Sequence, residues 1–253
     1  MKPLHEMNPQ GRFSDRAADY ANYRPSYPAA AIDSILAWLN EPSELVVADV
    51  GAGTGISSRL LAERGVRVLA IEPNREMRQA ALPHPLVEFR DGSAEQTNLS
   101  KTSVDLVVCC QSFHWFNPEP TLLEFHRILK PTGRLAVVWN ERDHDDDFTQ
   151  NYSRLVQEAS NRHPAESRMV AINPLLSSQL FLHVRCLTFA YQHGLNQDGL
   201  IGRAMSSSYI PRQGLVQQQL VSDLGELYNR FCDENGLVYL VYCTRVYLAE
   251  PSA

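Results

Sequence analysis

Residues 45–55 of this 253-residue chain read LVVADVGAGTG, a short apolar run followed directly by a turn with three glycines. The run at residues 45–50 has the length and composition of a buried β-strand. Glycine lets the backbone turn tightly and approach a ligand without a clash from a Cβ atom. Residues 56–64 then follow a helical pattern, and Gly65 provides a C-terminal cap. The stretch therefore predicts strand, glycine turn and helix in direct succession.

Short apolar runs and helical patterns alternate along the rest of the chain. We predict further strands at residues 66–72, 87–90, 104–110, 134–139, 184–192 and 237–248. We predict helices at residues 28–40, 74–81, 120–130, 148–159, 197–206 and 214–233. The strands up to residue 139 are continuously apolar, which is typical of strands buried on both faces. This pattern predicts an α/β fold with a doubly wound parallel sheet covered by helices.

The amino-acid composition argues against some classes of binding partner. The chain is 44% hydrophobic and 21% charged, as expected of a folded globular protein. With 23 basic and 29 acidic residues, its net charge is −6, which argues against nucleic acid because phosphates require a basic surface. The chain has three lysines, Lys2, Lys101 and Lys130. None of them follows a glycine-rich loop in the way that a phosphate-binding lysine does.

The sequence also favours one compartment. It contains no run of about 18 apolar residues, so we expect no membrane span. Residues 1–13 are polar and lack the apolar core of a signal peptide. The five cysteines form no C-x-x-C pair, and Cys109 and Cys110 lie in an apolar run where we expect them to be buried. We therefore expect a cytoplasmic protein without a membrane partner.

The glycine turn and the strand after it indicate a nucleoside-containing cofactor. The dinucleotide motif is G-x-G-x-x-G, but here Gly55 comes one residue early and position 56 is Ile. The next predicted strand ends at Glu72, 21 residues after Gly51. A carboxylate there can accept hydrogen bonds from both ribose hydroxyls of an adenosine. That arrangement suits NAD and an adenosyl cofactor equally.

Five ordered motifs carry a family resemblance. They are VADVGAGTG (47–55), AIEPN (70–74), GSAE (92–95), VDLVVCCQSFHWF (104–116) and HRILKPTG (126–133). In this order and spacing they resemble class I S-adenosylmethionine-dependent methyltransferases of the type 11 domain. Three further segments are similar to the trans-aconitate-methyltransferase-like subgroup: FSDRAADYANYRPSYP (13–28), GLIGRAMSSSYIP (199–211) and VYCTRVYL (241–248). The resemblance covers nearly the whole chain and is weakest over residues 141–182.

The resemblance implies a fold, a cofactor and its binding residues. The implied fold is a Rossmann-like, seven-stranded, mostly parallel sheet with helices on both faces and an antiparallel last strand. The implied cofactor is S-adenosylmethionine. Asp49 would orient its methionine end, Glu72 would hold the ribose, Pro73 and Ala94 would flank the adenine, and Gln111 would line the methionine side. The full implied set is Asp49, Gly51, Gly53, Thr54, Glu72, Pro73, Ser93, Ala94, Glu95 and Gln111.

The resemblance also implies one domain over residues 1–253. Its cofactor core would be residues 45–140, preceded by an N-terminal lid at 1–44. A substrate-side segment at 141–182 would be inserted before the C-terminal sheet and helices at 183–253. We expect substrate choice to depend on the parts outside the core.

The candidate catalytic residue is His114, which follows the fourth predicted strand and faces the expected site. It could act as a general base if the methyl acceptor is a hydroxyl, an amine or a carbon acid. A carboxylate acceptor would need no base. Alternatively, His114 is a packed ring within an aromatic cluster with Phe113, Trp115 and Phe116.

Other residues are candidates for contact with the substrate. They are Tyr20, Arg24, Trp115, Arg203 and Tyr209. Arg203 and Arg212 could meet an anionic substrate because a guanidinium matches a carboxylate. The run His144–Asp147 could suggest a metal, but a charge run before a helix usually caps it. We therefore predict no metal site.

The predicted function is methyl transfer from S-adenosylmethionine to a small-molecule acceptor by in-line displacement, a reaction in which the enzyme mainly aligns the reactants. Three alternatives remain open. The chain could be a non-catalytic S-adenosylmethionine-binding module, an NAD(P)-dependent oxidoreductase or a methyltransferase acting on a macromolecule. The glycine spacing argues against the oxidoreductase, and the acidic balance argues against a nucleic-acid substrate. We expect a monomer or a homodimer.

Overall fold

The structure is a computed structural model that describes residues 3–8, 11, 13–163 and 169–252, with the backbone alone at residues 169 and 170. Parts of the predicted lid and of the predicted inserted segment, at residues 1, 2, 9, 10, 12 and 164–168, lie outside the described residues. The strands are β1 (Val46–Val50), β2 (Arg67–Ile71), β3 (Val87–Arg90), β4 (Val104–Cys110), β5 (Leu129–Arg142), β6 (Phe181–Leu195) and β7 (Val238–Pro251). The helices are α1 (Ala17–Tyr23), α2 (Ala29–Leu36), α3 (Ile56–Ala62), α4 (Arg75–Gln79), α5 (Pro118–Ile128), α6 (Asp147–Ala159), α7 (Asn173–Leu176), α8 (Gln197–Met205) and α9 (Leu215–Phe231).

The seven strands form one sheet in the order β3-β2-β1-β4-β5-β7-β6. Neighbouring strands from β3 to β5 run parallel, whereas β7 runs antiparallel to both β5 and β6. This confirms the predicted mostly parallel sheet with an antiparallel last strand. Because β2, β1 and β4 are adjacent and parallel, their carboxyl ends at Ile71, Val50 and Cys110 meet at one edge of the sheet. Ligands of doubly wound sheets bind at this edge.

Both faces of the parallel strands are covered, as their continuous apolar sequences predict. On one face, Val107 of β4 and Val137 of β5 lie in a cluster with Phe125 of α5. On the other face, the neighbouring residues Val108 and Val138 pack with residues of α2 and α3. Successive residues of a strand point to opposite faces, so a strand buried between two helical layers is apolar throughout.

A third apolar cluster covers the carboxyl-terminal part of the molecule. It joins α6, α8 and α9 to residues of β6 and β7, with Tyr152, Leu200, Leu224 and Tyr242 among its most deeply buried members. The α1 helix lies directly against α8, where a Cβ atom at Gly202 would clash with the ring of Tyr23. The amino-terminal part of the chain is therefore packed on the carboxyl-terminal helices.

Several predicted element boundaries differ from those of the structure. The predicted helix at 28–40 ends at Leu36, because Ala37 leaves the helical region with a ψ of 135° and Trp38 has a φ of +68°. The predicted helix at 120–130 ends at Ile128, because Leu129 pairs with Val104 and begins β5. Pairing with β7 extends the predicted strand at 134–139 to Arg142 and the predicted strand at 184–192 at both ends.

Candidate functional site

A cavity of about 390 Å³ lies at the edge where the carboxyl ends of β1, β2 and β4 meet. Most of the predicted cofactor residues line it, as do two of the predicted substrate residues. The predicted residues in its wall are Tyr20, Gly51, Gly53, Glu72, Pro73, Ser93, Ala94, Glu95, Gln111 and Trp115. The structure therefore brings these residues, which are scattered along the chain, together around one cavity.

The glycine turn has the conformation and the close contacts that require glycine. Gly51 and Gly53 have φ values of +69° and +58°, which residues with a Cβ atom adopt only under strain. At Gly51, a Cβ atom would stand 2.7 Å from Cβ of Ser112. At Gly53, it would stand 3.2 Å from Cε of Met77 and would project between residues of the cavity wall. The first glycine thus permits close packing, and the second keeps the cavity open.

Glu72 is a buried carboxylate in the wall of this cavity, and only 8% of its surface is exposed. Its Oε2 accepts the backbone N–H of Gly53 and its Oε1 accepts that of Asn74, each at 2.9 Å. Burial raises the pKa of Glu72, whereas these two N–H donors oppose the rise. A carboxylate offers about four lone-pair sites, so both oxygens can still accept a bond from a ligand.

Asp49 and Thr54 lie beneath the turn and are not among the residues that line the cavity. Oδ2 of Asp49 accepts hydrogen bonds from the hydroxyls of Ser57 and Ser58, both at 2.6 Å. Burial raises the pKa of Asp49, and the bonds from these serines oppose the rise. These hydrogen bonds connect β1 to the start of α3, and Asp49 thereby supports the conformation of the glycine turn.

Two predicted residues in the wall also organise the backbone around it. Glu95 accepts the backbone N–H of Asn117 at 2.9 Å, next to the start of α5. Gln111 directly follows β4 with a φ of +58°, and its side-chain Nε2 donates to the carbonyl of Asn140 at 3.4 Å. Strained backbone in a residue other than glycine is concentrated at functional sites, which agrees with the position of Gln111 at the strand tip.

His114 lies beside the main cavity and is not among the described residues that line it. It lines a neighbouring small cavity together with Tyr20, Arg24, Tyr209 and other residues. The indole Nε1 of Trp139 lies 3.3 Å from Nδ1 of His114. Because an indole N–H can only donate, Nδ1 must be the accepting nitrogen, and the proton of the neutral ring lies on Nε2. In this state the ring presents a hydrogen-bond donor, whereas a base would need a bare nitrogen.

The amino-terminal segment closes one side of the main cavity. The ring of Phe13 makes edge-to-face contacts with Tyr20 and with Trp115, with 5.9 Å between ring centroids in each case. Buried Arg16 holds this segment in place, because its guanidinium donates to the backbone carbonyls of Met205, Ser207 and Ile210. The segment is thus bonded to the chain that follows α8.

A second, smaller cavity of about 30 Å³ shares Tyr20, Gly51, Cys110 and Gln111 with the main one. Its wall contains three of the predicted substrate residues, Tyr20, Arg24 and Arg203. Among the other residues that line it are Ser57, Asn140 and Tyr242. The structure therefore brings together two arginines that are far apart in the sequence.

Arg212, the other arginine that could meet an anionic substrate, is not among the residues that line this cavity. It is exposed, and its guanidinium forms ion pairs with Asp19 at 2.9 Å and with Asp15 at 3.5 Å. The alternative interpretation of His144–Asp147 is supported, because Asp146 caps α6 by accepting the backbone N–H of Thr149 at 2.8 Å. Among the described residues, no group of three or more His, Cys, Asp or Glu side chains could hold a metal ion.

Sequence reasoning missed part of both cavity walls. The missed residues of the main cavity are His5, Phe13, Met77, Cys110, Ser112, Phe116 and Asn117. In the second cavity, Asn140 was accessible to prediction, since it follows a predicted parallel strand whose carboxyl end reaches the same edge. Tyr242 was not, because it lies within the antiparallel strand β7.

In the part of the chain that the structure describes, no helix has both the length and the apolar composition needed to cross a membrane.

Comparison with known proteins agrees with the geometry. The family described as a methyltransferase domain matches residues 48–137. An uncharacterized methyltransferase of Mycobacterium tuberculosis is 32% identical over 246 residues, which cover 94% of this chain and 96% of the relative. The structure of a protein named as a type II methyltransferase from Anaeromyxobacter dehalogenans matches with a TM-score of 0.67 at 22% identity, covering 90% of this chain and 98% of that one.

A third similarity concerns a structure with ligands. A geranyl diphosphate C-methyltransferase from Streptomyces coelicolor, in complex with Mg²⁺, geranyl diphosphate and S-adenosyl-L-homocysteine, matches with a TM-score of 0.55 at 12% identity over 99% of both chains. At this identity the match shows a common fold. The family membership rests on the sequence relative, and the predicted cofactor, S-adenosylmethionine, is that of the family. The chain belongs to the class I S-adenosylmethionine-dependent methyltransferases.

Proposed function

We propose that this protein transfers a methyl group from S-adenosylmethionine to a small-molecule acceptor, and that the 390 Å³ cavity holds the cofactor. The observation that carries the proposal is the buried carboxylate of Glu72 in the cavity wall, beside the glycine turn. A carboxylate at the end of the second strand suits the two ribose hydroxyls. A Cβ atom at Gly53 would project into the same space, so the turn fits a ligand that approaches the backbone.

We assign the remaining cavity residues by their place in the wall. Pro73 and Ala94 would flank the adenine, with Ser93 and Glu95 at its polar edge. Gln111 lines both cavities and would lie beside the methionine part. Asp49 and Thr54 would act from beneath the turn, through the conformation that they support.

The chemistry of the reaction makes modest demands on the protein. When bound, the cofactor supplies an activated methyl group: the bond from its carbon to the sulfonium sulfur breaks with the electron pair left on sulfur, while a new bond forms to the acceptor. The protein must align the acceptor and exclude water. The packed rings of Phe13, Tyr20 and Trp115 close the cavity on one side and suit that task.

The hydrogen bond from Trp139 bears on the role of His114. With its proton on Nε2, the neutral ring would donate a hydrogen bond and so position an acceptor. A base role would require the other tautomer or the loss of the bond to Trp139. We therefore favour an acceptor that needs no general base, such as a carboxylate, and assign His114 to positioning.

Ligand binding by the full chain tests the proposal. S-adenosylmethionine and S-adenosylhomocysteine should bind more tightly than NAD in calorimetric titrations, and tighter binding of NAD would overturn it. Glu72→Ala should weaken cofactor binding about 10- to 100-fold, the scale of a lost charge-assisted bond. The matched control is Glu88→Ala, which removes an exposed carboxylate outside the cavity walls. A labelled-methyl screen of metabolite carboxylates, phenols and amines then separates transfer from binding alone.

A further inference from the structure

A buried asparagine interrupts the apolar face of β5 at the end of the strand that reaches the cavities. On the face that packs against α2, Ala136 and Val138 are fully buried and apolar. Asn140 lies two residues further along and therefore on the same face, and only 7% of its surface is exposed. Burying an amide is costly unless its polar groups are hydrogen-bonded. Asn140 also lies outside residues 48–137, which match the methyltransferase family, so a local reason for it must be sought in its contacts.

The amide of Asn140 joins β5 to two distant parts of the chain. Its Nδ2 donates to the backbone carbonyl of Ser26 at 2.9 Å. The hydroxyl of Thr244, its cross-strand partner on β7, donates to its Oδ1 at 2.7 Å. Because a backbone carbonyl can only accept, the nitrogen of the amide must face Ser26 and the oxygen must face Thr244. The two contacts thus define one orientation of the side chain, in which the amino-terminal part of the chain is bonded to the sheet.

Ser26 belongs to residues 24–28, which we call the strap. Its sequence is RPSYP, and it connects α1 to α2 without regular secondary structure. The two prolines have no backbone N–H, so the strap offers few donors of its own for backbone hydrogen bonds. Side chains of the sheet bond to it instead: Asn140 from β5 and the phenol of Tyr191 from β6 both form hydrogen bonds with the backbone of Ser26. The position of the strap therefore depends on these two side chains.

The strap in turn supports one side of the main cavity. The backbone N–H of Arg24 donates to the carbonyl of Tyr20 at 3.3 Å, so the strap begins where α1 ends. The guanidinium of Arg24 also lies over the ring of Tyr20, 4.6 Å from its centroid. That ring lines the main cavity and contacts the ring of Phe13, which lines it too. A displaced strap would therefore displace the two rings that close this side of the cavity.

We infer that Asn140 is a positioning residue for the cofactor: by holding the strap against β5, it keeps Tyr20 and Phe13 over the main cavity and slows the release of the bound ligand. The inference rests on the proposed function, because the ligand of that cavity must be the adenosyl cofactor. Asn140 is not among the described residues that line the main cavity. It acts through Ser26 and the strap.

A merely structural role of Asn140 leads to a different expectation, which matched variants can separate. Asn140→Ala removes the bond to Thr244 as well as the bond to Ser26, so it destabilises the sheet in either case. Thr244→Val breaks the same cross-strand bond but leaves the nitrogen of the Asn140 amide facing Ser26. Ser26→Ala is a second control, because Asn140 and Tyr191 bond to the backbone of Ser26 and alanine keeps that backbone.

The test measures how fast S-adenosylhomocysteine dissociates from the full chain. Asn140→Ala should release it about five- to tenfold faster than wild type, the scale of one lost buried hydrogen bond. Thr244→Val should lower the melting temperature by a similar amount, yet its dissociation rate, like that of Ser26→Ala, should stay within about twofold of wild type. Hydrogen exchange of the ligand-free proteins should be faster over residues 13–28 in Asn140→Ala alone. Asn140→Ser, whose side chain is too short to reach Ser26, serves as the second variant if Asn140→Ala does not fold.

The outcomes have distinct meanings. Faster release together with faster exchange over residues 13–28 in Asn140→Ala alone supports the inference. Equal release rates from Asn140→Ala and Thr244→Val overturn it, because the bond to the strap then makes no contribution of its own. Faster release without faster exchange also overturns it, since Asn140 then acts by another route. Each of these results leaves the proposed function intact. If wild type binds S-adenosylhomocysteine less tightly than NAD, the proposed function fails and the inference falls with it.

Discussion

Trp139 donates its indole N–H to Nδ1 of His114, with 3.3 Å between the two nitrogens. The donor lies in β5, and the acceptor lies in the short turn that follows β4. Since only 7% of the His114 surface is exposed, water cannot readily replace this bond. The relationship selects the ring tautomer of His114 and therefore the chemistry that this side chain can perform.

We expect the imidazole of His114 to carry its neutral-state proton on Nε2. Nuclear magnetic resonance of protein with ¹⁵N-labelled histidine distinguishes a protonated ring nitrogen from a bare one. The substitution Trp139→Phe removes the donor and should allow the proton to populate Nδ1 as well. Protonation mainly at Nδ1 in the wild-type protein would contradict the assignment and restore Nε2 as a candidate base.

Gly53→Ala should weaken cofactor binding, while Gly65→Ala should not. Both positions have positive φ, +58° and +86°, so each alanine should cost about 1–2 kcal/mol of stability. A Cβ atom at Gly65 would meet nothing within 4 Å, whereas one at Gly53 would approach Met77 inside the cavity wall. We expect at least a fivefold loss of affinity for S-adenosylhomocysteine, about 1 kcal/mol, at Gly53 alone. Equal affinities in the two variants would show that the turn does not contact the ligand.

The stability of the Asp49→Asn variant relative to that of the wild-type protein should increase as pH rises. Burial raises the folded-state pKa of Asp49 above its ordinary value of 3.8. Between these two values the unfolded chain has lost the proton while the folded protein still holds it, so wild-type stability falls with rising pH. The variant lacks this contribution. Urea unfolding of both proteins from pH 4 upward measures the difference, and a difference that is constant or of opposite slope contradicts the burial of an ionisable Asp49.

Arg16→Met should destabilise the protein by about 3 kcal/mol or more, because it removes charge-assisted bonds to Met205, Ser207 and Ile210 from a buried site. Arg154→Met is the control: it removes an exposed ion pair to Glu158 within α6, which is expected to contribute less than about 1 kcal/mol. Denaturant unfolding gives both values. If Arg16 also holds the amino-terminal segment over the cavity, S-adenosylhomocysteine should dissociate faster from this variant alone. Similar stabilities for the two variants would rule out Arg16 as the main attachment.

The sequence by itself determined the order of strands and helices in the core and the position of the main cavity. These features depend on local patterns: continuous apolar runs, glycines at a turn, and a carboxylate at a strand end. Val47–Gly55 and Glu72 could be joined in one site because adjacent parallel strands bring their carboxyl ends to the same edge. Boundaries such as the early end of α2 at Leu36 were less accessible, since they depend on backbone packing and strand pairing.

Only the tertiary structure decided which side chains from distant segments meet. Arg24 and Arg203 share a wall because α1 packs against α8, and Tyr242 reaches it from an antiparallel strand. Long-range contacts also place Arg212 beside Asp19 and away from Arg203, and they place Trp139 next to His114. Charge balance, burial and tautomer are properties of such long-range contacts, and no local periodicity encodes them. The main cavity could therefore be predicted from the chain, whereas the meeting of Arg24 and Arg203 depends on the tertiary structure.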